Sequence, residues 1–408
     1  MNTQVLINKQ ALIRNKKFMS LMIVRVLTGL SFGIYLLGES WYVVNELNMK
    51  SYLGIVLMLT SIPRLLLMTF GGFLSDKYNK TKIMFMSLLI RGLLVFTLVS
   101  LIITENVNIL AILLYAFFFG ILDAIFYPAN SSIVPELVEK EELTRANALL
   151  QSTNLFSTVV SPILAGLLLS IGSFIFLFSI TAFFLLVGGV VVFLINTSVQ
   201  LQQVQKETLI ENIKTGYTFI RKDKLLSSLL AIIFIVNLFI VGPVNIALPV
   251  IVDEKFGSKI LNFSFMQSAL FLGMLAATLI FSIKNIRKKR GLIILCAMIL
   301  SGFCVLSLGL ISYLYQGILI LTAYGACISV SSLIIAMIQE NTPNEKMGRV
   351  MGLTSTASLG LIPLSYGLTS LILFFGIPIT DVLIVCGCVV VIISSYIIWK
   401  FGFVRLSD

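Results

Sequence analysis

The feature that most constrains this chain is a succession of long apolar runs that carry almost no charge. Runs of about 18 or more nearly uncharged residues recur along the sequence, which is the length that crosses a hydrocarbon core about 30 Å thick. The chain of 408 residues is 58% hydrophobic and 12% charged, whereas an average soluble domain has about twice that charge. The apolar runs are continuous rather than alternating, which argues against a transmembrane barrel. The sequence therefore predicts an all-α polytopic membrane protein.

Charge clusters and Gly/Pro punctuation divide the chain into twelve predicted transmembrane helices. Their limits are 18–45, 51–75, 83–104, 107–130, 145–171, 174–196, 224–252, 260–283, 291–312, 316–340, 349–375 and 379–401. The first run is too long for the apolar core of a signal peptide, and no A-x-A cleavage site interrupts it, so we expect it to remain as helix one.

The longest polar connection, 197–223, is predicted to be a cytoplasmic linker between an N-terminal six-helix bundle (1–196) and a C-terminal one (224–408). The halves echo one another, because "PELVEKEELTRANAL" (135–149) and "TPNEKMGRVMGL" (342–353) both place Pro, acids and then Arg before a helix. Two pseudo-symmetric repeats of six helices are typical of a large class of secondary transporters, with the substrate site near the midplane.

Basic residues indicate the orientation of the chain. Most of the 29 Lys and Arg residues fall in alternate connections, while the remaining connections carry only Lys50, Lys255 and Lys259. The positive-inside rule then places both termini in the cytoplasm of a cell-membrane protein. The net charge of +11 is explained by these anchors, so the expected partners are the lipid bilayer and a small molecule, not nucleic acid, and we expect a monomer.

Several chemistries are not expected from this composition. The chain has no His and five Cys, and those cysteines lie in apolar runs with no metal-binding spacing, so neither a metal site nor a disulfide is predicted. Neither HExxH nor a GxxxxGK[ST] phosphate loop occurs. We therefore predict neither an enzyme nor an ATP-driven pump, with no cofactor and with a carboxylate as any proton carrier.

The segment "GGFLSDKYNKTKIM" (71–84) lies directly after the second predicted span. It resembles the G-x-L-A-D-R-x-G-R-K/R-x-x-L loop of the major facilitator superfamily, with Asn79 in place of the usual Gly. Asn tolerates a positive φ better than most residues, so we expect the turn to survive. The segments 61–80, 126–149 and 340–352 look like the drug:proton antiporter branch, which contains macrolide-efflux proteins and the enterobactin exporter. The span-five segment "SPILAG" (161–166) departs from that branch's Gly-Pro pattern with its following Gly pair.

The resemblance implies a gating motif after the second span. Its members would be Gly72, Asp76, Lys77, Lys80 and Arg349. Asp76 is expected to face the N-terminus of helix eleven, which is predicted to begin near residue 349, because a helix N-terminus favours an anion. Arg349 would then lie within reach of Asp76, and we call this expected contact between the two halves the latch. The lysines are expected to orient the loop and to pair with the acids at 136–142, and the two glycines to let helix two approach a neighbour.

Five charged residues lie well inside predicted spans: Arg25, Glu39, Arg64, Arg91 and Asp123. A charge at that depth is costly and marks a functional or a paired group. The resemblance places Glu39 and Asp123 on cavity-lining helices one and four, which makes them candidate proton-coupling residues. Asp123 could instead form a structural ion pair with Arg25 or Arg91, and Glu39 could be an interfacial residue wetted from outside. Arg64 and Arg91 are interpreted as structural.

The substrate cavity is predicted to be apolar and aromatic with sparse polar groups, which favours amphipathic ligands over sugars. Candidate lining residues are Tyr35, Phe118, Phe119, Phe126, Asn154, Asn237, Asn245, Gln267 and Tyr324. The leading interpretation is proton-driven efflux of amphipathic small molecules by alternating access. One alternative is export of an endogenous siderophore or lipid-like metabolite, and another is a non-transporting membrane scaffold or receptor.

Overall fold

The computed structural model describes residues 12, 14–195, 218, 220, 221, 223–284 and 289–401. Within those residues twelve helical stretches are long and apolar enough to cross a membrane. The described part of the chain contains α-helix, 3-10 and π-helical turns and no strand. The twelve predicted spans are therefore confirmed, with limits that agree within a few residues at most ends.

The α-helices are numbered here in chain order. They are α1 (Lys16–Trp41), α2 (Leu53–Lys77), α3 (Lys80–Ile103), α4 (Ile109–Ser132), α5 (Leu143–Ile171), α6 (Phe174–Phe193), α7 (Lys224–Val236), α8 (Gly242–Lys255), α9 (Ile260–Lys284), α10 (Arg290–Gly309), α11 (Leu314–Ile328), α12 (Ser331–Glu340), α13 (Asn344–Phe374) and α14 (Ile379–Phe401). Short 3-10 turns occupy Lys50–Tyr52, Val134–Glu136 and Lys140–Glu142.

Three of the described spans are built from more than one α-helix or change their winding. A π-helical turn, Asn237–Val241, joins α7 to α8 within one span, and a second one, Tyr42–Glu46, continues α1. A short break after α11 precedes α12 in another span. Sequence periodicity gave no sign of these irregular turns, because π-turns have no strong residue signature in an apolar run.

Short polar side chains begin several of the helices. Asn15 accepts hydrogen bonds from the backbone N–H groups of Lys17 and Phe18, and its own Nδ2 donates to the Leu137 carbonyl at 2.7 Å. Asp223 likewise accepts from two backbone N–H groups at the start of α7. Such caps satisfy N–H groups that have no partner within the helix.

Asn79 is another of these caps, and here the sequence prediction was wrong in its detail. Asn79 has φ −61° and accepts from the Lys82 N–H at 3.1 Å. The position does not require a positive φ, so Asn is accommodated as the first residue of a helix turn rather than as a substitute for Gly.

The chain divides into two compact units. One unit is Met1–Leu47 with Leu59–Val204, and the other is Asn48–Met58 with Gln205–Asp408. The predicted N-terminal bundle included 48–58, which this division groups with the second half. The predicted linker, 197–223, lies almost entirely outside the described residues, so it stays a prediction.

Each unit repeats the same set of helix contacts. In the first, α3 packs against α6 and α4, and α1 packs against α5 and α6. In the second, α10 packs against α14 and α11, and α8 packs against α13 and α14. These pairs occupy corresponding positions in the two halves, which is the repeat that the sequence predicted.

Small residues set the closest helix approaches within each unit. A Cβ at Gly71 or Gly120 would run into the backbone of Ala124 or Thr60, so α2 and α4 approach closely. Gly273 and Gly325 allow the matching approach of α9 and α11 in the second unit. Close backbone packing by glycine is a common way for helices to associate in membranes, where dispersion replaces the hydrophobic effect.

The segment Asn48–Met58 is held in the second unit by polar contacts. Lys50 Nζ lies 2.9 Å from Asp253 Oδ2 and 3.2 Å from Glu254 Oε1. Ser370 donates its hydroxyl to the Ser51 carbonyl. The Lys50 side chain is about one-third exposed, so its ion pairs contribute modestly to stability.

The two glycines at 71 and 72 give a matched test of this packing. We expect Gly71→Ala to lower the melting temperature of the purified protein, because overpacking against the Ala124 carbonyl costs about 1–3 kcal/mol. Gly72→Ala is the control, since a Cβ there would meet no described atom within 4 Å. Thermal unfolding followed by size-exclusion chromatography measures both, and equal melting temperatures would contradict the assignment.

Candidate functional site

The charged centre of the first unit is Asp123 on α4. Arg91 on α3 places Nη2 2.6 Å from Asp123 Oδ1, and Arg64 on α2 places Nε 3.1 Å from Oδ2. Asp123 is 7% exposed and Arg91 is 1% exposed, whereas the Arg64 side chain is 38% exposed. One carboxylate thus joins three transmembrane helices, and each of its oxygens has a guanidinium partner.

Aromatic rings complete the surroundings of both arginines. The guanidinium carbon of Arg91 lies 5.0 Å from the Phe119 ring centre and 5.3 Å from that of Phe126. The guanidinium of Arg64 lies over the rings of Phe32 (5.9 Å) and Tyr127 (5.3 Å). A guanidinium facing a ring is stabilised by the ring quadrupole, more so where water is excluded.

Arg25 on α1 does not pair with Asp123, which was one of the two predicted pairings. Its Nη2 donates to the Asn130 carbonyl at 2.8 Å. Its Nε is buried without a hydrogen-bond partner, and so are Arg91 Nε and Asn130 Oδ1. Among the described residues, no carboxylate lies within ion-pair distance of Arg25.

All three arginines and Asp123 line one cavity of about 310 Å³ in the first unit. Thr28, Phe126, Tyr127, Asn130, Asn154 and Ser157 contribute to the same wall. The cavity contains three fixed positive charges and one carboxylate, so it is both more polar and more basic than the predicted apolar pocket. Of the predicted cavity residues, Phe126 and Asn154 are the two that lie there.

Glu39 lies on α1 and is 1% exposed. The Tyr35 hydroxyl donates to Glu39 Oε1 at 2.8 Å, and Oε2 is buried without a hydrogen-bond partner. Within the described residues no cation lies at ion-pair distance from this carboxylate. Glu39 is therefore enclosed by protein, unlike the wetted interfacial residue that the sequence also allowed.

Stacked rings join Glu39 to the charged centre. The Tyr35 and Phe119 rings stack with centres 4.2 Å apart and planes inclined by 3°, and Phe119 in turn faces Arg91. Tyr35 and Phe119 are fully buried, so they support the cavity from behind instead of lining it as predicted. Phe118 is half exposed and packs edge-on against Phe117.

The predicted residues of the second unit do not form a single site. Asn237 lines a largely apolar cavity of about 280 Å³ with Met298 and Ser301 and donates to the Ile233 carbonyl. Asn245 donates to the Tyr366 hydroxyl at 2.9 Å. The other two predicted residues contribute to neither feature: Tyr324 is buried, and Gln267 is half-buried.

Sequence reasoning missed Tyr127 and Asn130. Both follow Asp123 on α4 at helical spacings of four and seven residues, which place them on one face. That spacing was available as a signal, but the long apolar run around it gave no reason to prefer this face of α4 over another.

Two members of the predicted gating motif have identified partners. Lys80 Nζ lies 2.6 Å from Glu136 Oε1 and donates to the Ser132 carbonyl, so the predicted pairing with 136–142 is present. Lys77 lies over the rings of Phe73 and Tyr78. Asp76 is half-buried in the last turn of α2, and Gly72 has open space where a side chain would be, unlike the predicted close approach.

Helix eleven of the prediction starts earlier than expected. It is α13, which begins at Asn344 after Pro343, so Arg349 lies within its second turn rather than at its first residue. Asp76 and Arg349 belong to different units, and the predicted latch between them stays a prediction.

Among the described residues, a charged cavity and twelve helices able to cross a membrane are typical of a multi-pass membrane transporter. The sequence pattern of the Major Facilitator Superfamily matches residues 21–366, and the chain belongs to that family. Its relatives and structural neighbours are transporters and not enzymes.

The chain is similar to curated transporters at low identity. It is 25% identical over 292 residues to macrolide efflux protein A of Enterococcus faecalis, which covers 70% of this chain and 90% of that protein. It is 24% identical over 357 residues to the enterobactin exporter EntS of Shigella boydii serotype 18, which covers 85% of this chain and 83% of that protein. Among solved structures, the nucleoside transporter NupG superposes with a TM-score of 0.73 at 11% identity, covering 96% of this chain and all of NupG. That likeness shows the shared fold.

The unequal burial of the two arginines gives a stability prediction. Arg91→Gln removes the closest partner of a buried carboxylate, and breaking such a pair costs about 3–5 kcal/mol. Arg64→Gln should cost less, since that side chain is partly exposed. Melting temperatures of the purified variants test this order, and Arg91→Gln combined with Asp123→Asn should recover part of the loss. Equal effects of the two single variants would contradict it.

Proposed function

We propose that this protein is a secondary active transporter that exports amphipathic small molecules by alternating access in exchange for protons. It would act in the cell membrane as a monomer, with both termini in the cytoplasm and the proton gradient as its energy source. The named activities of two relatives, macrolide efflux and enterobactin export, support export of organic molecules. No bound cofactor enters the proposal.

The observation that supports proton coupling is the burial of Glu39 without a described cation partner. An ionised carboxylate buried without a cation costs several kcal/mol. Among the residues that the structure describes, Glu39 has the Tyr35 hydroxyl as its one partner, on Oε1. A group in such surroundings is suited to hold a proton and to release it when water or a cation reaches it. Asp123 already has two arginine partners, whereas Glu39 has no described cation at ion-pair distance, so Glu39 is the stronger proton-coupling candidate.

The contacts between Glu39 and the arginine cavity supply a physical route for coupling. Phe119 contacts both the Tyr35 ring and the Arg91 guanidinium. A ligand that draws an arginine toward itself would change the packing of Phe119 and hence the position of the Tyr35 hydroxyl. Coupling requires that the two sites bias one shared element, and Phe119 is that element in the proposal.

A siderophore or lipid-like metabolite is the second candidate substrate. Its support is the likeness to the enterobactin exporter over 85% of this chain together with the basic character of the cavity. A static scaffold or receptor is disfavoured, because it would not need a buried carboxylate beside a water-accessible charged cavity.

Transport in proteoliposomes tests the proposal. Purified protein would be reconstituted with an imposed pH gradient and offered a panel of dyes, macrolides and siderophores. Accumulation that depends on the gradient and is abolished by a protonophore is the expected result. No gradient-dependent movement of any compound in the panel would contradict proton-coupled export.

Glu39→Gln tests the proton site directly. We expect loss of gradient-driven efflux with normal folding and insertion, because glutamine keeps the Tyr35 hydrogen bond but cannot carry a proton. Glu46→Gln is the matched control, since that carboxylate lies on the same span and is exposed. Normal drug resistance in cells that express Glu39→Gln would eliminate the role.

Asp76→Asn tests the predicted latch. We expect a lower transport rate and a shifted balance between inward- and outward-open states, because a neutral side chain interacts less with a helix N-terminus. Asp381→Asn, at an exposed site in the first turn of α14, is the control. The balance of states would be followed by fluorescence between engineered probes. An unchanged rate together with an unchanged balance would rule out the latch.

A further inference from the structure

The cavity in the first unit has an excess of positive charge that no described carboxylate neutralises. Arg25, Arg64 and Arg91 line it, and Asp123 is its one acidic member. Asp123 is shared between Arg64 and Arg91, so it can balance one positive charge. Among the described residues, Arg25 has a backbone carbonyl as its hydrogen-bond acceptor and no carboxylate partner.

Two hydrogen-bond donors without a partner accompany this excess of positive charge. Arg25 Nε and Arg91 Nε are both buried without a hydrogen-bond partner. Each is part of a side chain that lines the cavity. A buried donor without a partner and a buried charge without a counter-charge are both costly, so an anion bound beside the Arg25 guanidinium would supply the missing counter-charge.

We propose that this cavity binds an anionic oxygen group, that is a carboxylate, sulfonate or phosphate, and that the molecule exported is an amphipathic anion. The substrate part of this proposal rests on the export function proposed above. Guanidinium groups match such oxygens in planar, two-bond geometry. The rings of Phe32 and Tyr127, which already face Arg64, provide an apolar surface for the part of the ligand next to its anionic group.

The size of the cavity limits what enters it. A volume of about 310 Å³ lies at the lower end for small-molecule sites, so it accommodates an anionic group with an adjoining ring. The rest of a larger amphiphile would extend beyond it. The cavity therefore acts as a subsite that selects for charge, while the remainder of the molecule contributes apolar contact.

Equilibrium binding with a matched pair of dyes tests the subsite. The purified protein, in nanodiscs of neutral phosphatidylcholine, would be titrated with 5-carboxyfluorescein and with rhodamine 123, and fluorescence anisotropy recorded. These dyes share a ring system and differ in charge. We expect the anionic dye to bind more tightly, and equal or weaker binding of the anionic dye would overturn the proposal.

Variants of the arginine without a carboxylate partner sharpen this test. Arg25→Gln should weaken binding of 5-carboxyfluorescein about tenfold, the loss that corresponds to one charge-assisted hydrogen bond. Arg25→Lys should retain most of the affinity because it keeps the charge. Arg14→Gln removes an exposed arginine outside the cavity and should leave the affinity unchanged. Equal affinities of the Gln and Lys variants would contradict the role of Arg25.

Asp123→Asn provides an independent measurement that a purely structural role of the arginines would not produce. Removal of the single carboxylate frees Arg64 and Arg91 and raises the positive charge of the cavity. We expect tighter binding of 5-carboxyfluorescein by this variant, even if its melting temperature falls. Weaker binding by a folded Asp123→Asn variant would overturn the assignment.

Two further comparisons separate the possible sources of the anion. If a lipid headgroup is the ligand, nanodiscs that contain phosphatidylglycerol should displace the dye, and such displacement would overturn the assignment to an exported molecule.

Efflux assays with both dyes separate this inference from the proposed function. Anion binding without gradient-driven transport would leave the subsite standing and remove the transport proposal. Transport of rhodamine 123 alone, without anion binding, would overturn the anion subsite and leave the transport proposal standing.

Discussion

The double ion pair of Asp123 with Arg91 and Arg64 is the interaction on which the first unit depends. Three helices that also meet through apolar side chains, glycines and the Ser87 and Thr97 hydroxyl groups are joined by a single carboxylate. Each arginine in a membrane span is costly by itself, so the pair cannot separate unless another anion or water replaces Asp123. The charged centre is therefore a structural link between α2, α3 and α4.

The charged side chains of this region differ in how deeply they are buried, and this difference determines how freely each one can change partners. Arg91 is enclosed by two rings and fixed, while Arg64 is partly exposed and can change partners at lower cost. Glu39 lies on the far side of the Tyr35–Phe119 stack and has no cation at ion-pair distance in the part of the chain that the structure describes. The proposed proton site and the proposed anion subsite are thus separate in chemistry and joined by the packing of Tyr35 and Phe119.

Much of this arrangement could be predicted from the sequence, because a hydrocarbon core imposes the length and composition of each span. The twelve helices, the repeat and the five intramembrane charges follow from that constraint. The sequence named Arg25 or Arg91 as the partner of Asp123, and Arg91 is one of its two partners. The pairing with Arg64 was missed, since the choice depends on the rotation of each helix about its axis. The positive φ expected at Asn79 was wrong, because Asn is equally favourable as a helix N-cap, and that role needs no positive φ.

The two π-helical turns have a consequence for how such a chain can vary. A π-turn contains one more residue than the α-helical segment it replaces, so Tyr42–Glu46 and Asn237–Val241 each hold a residue in surplus. Elsewhere in a packed span, a single-codon deletion would rotate every following side chain by about 100° and misplace its partners. At these two turns a deletion can be absorbed by return to ordinary α-helix. These two turns are positions at which evolution can shorten a membrane span by one residue without loss of the fold.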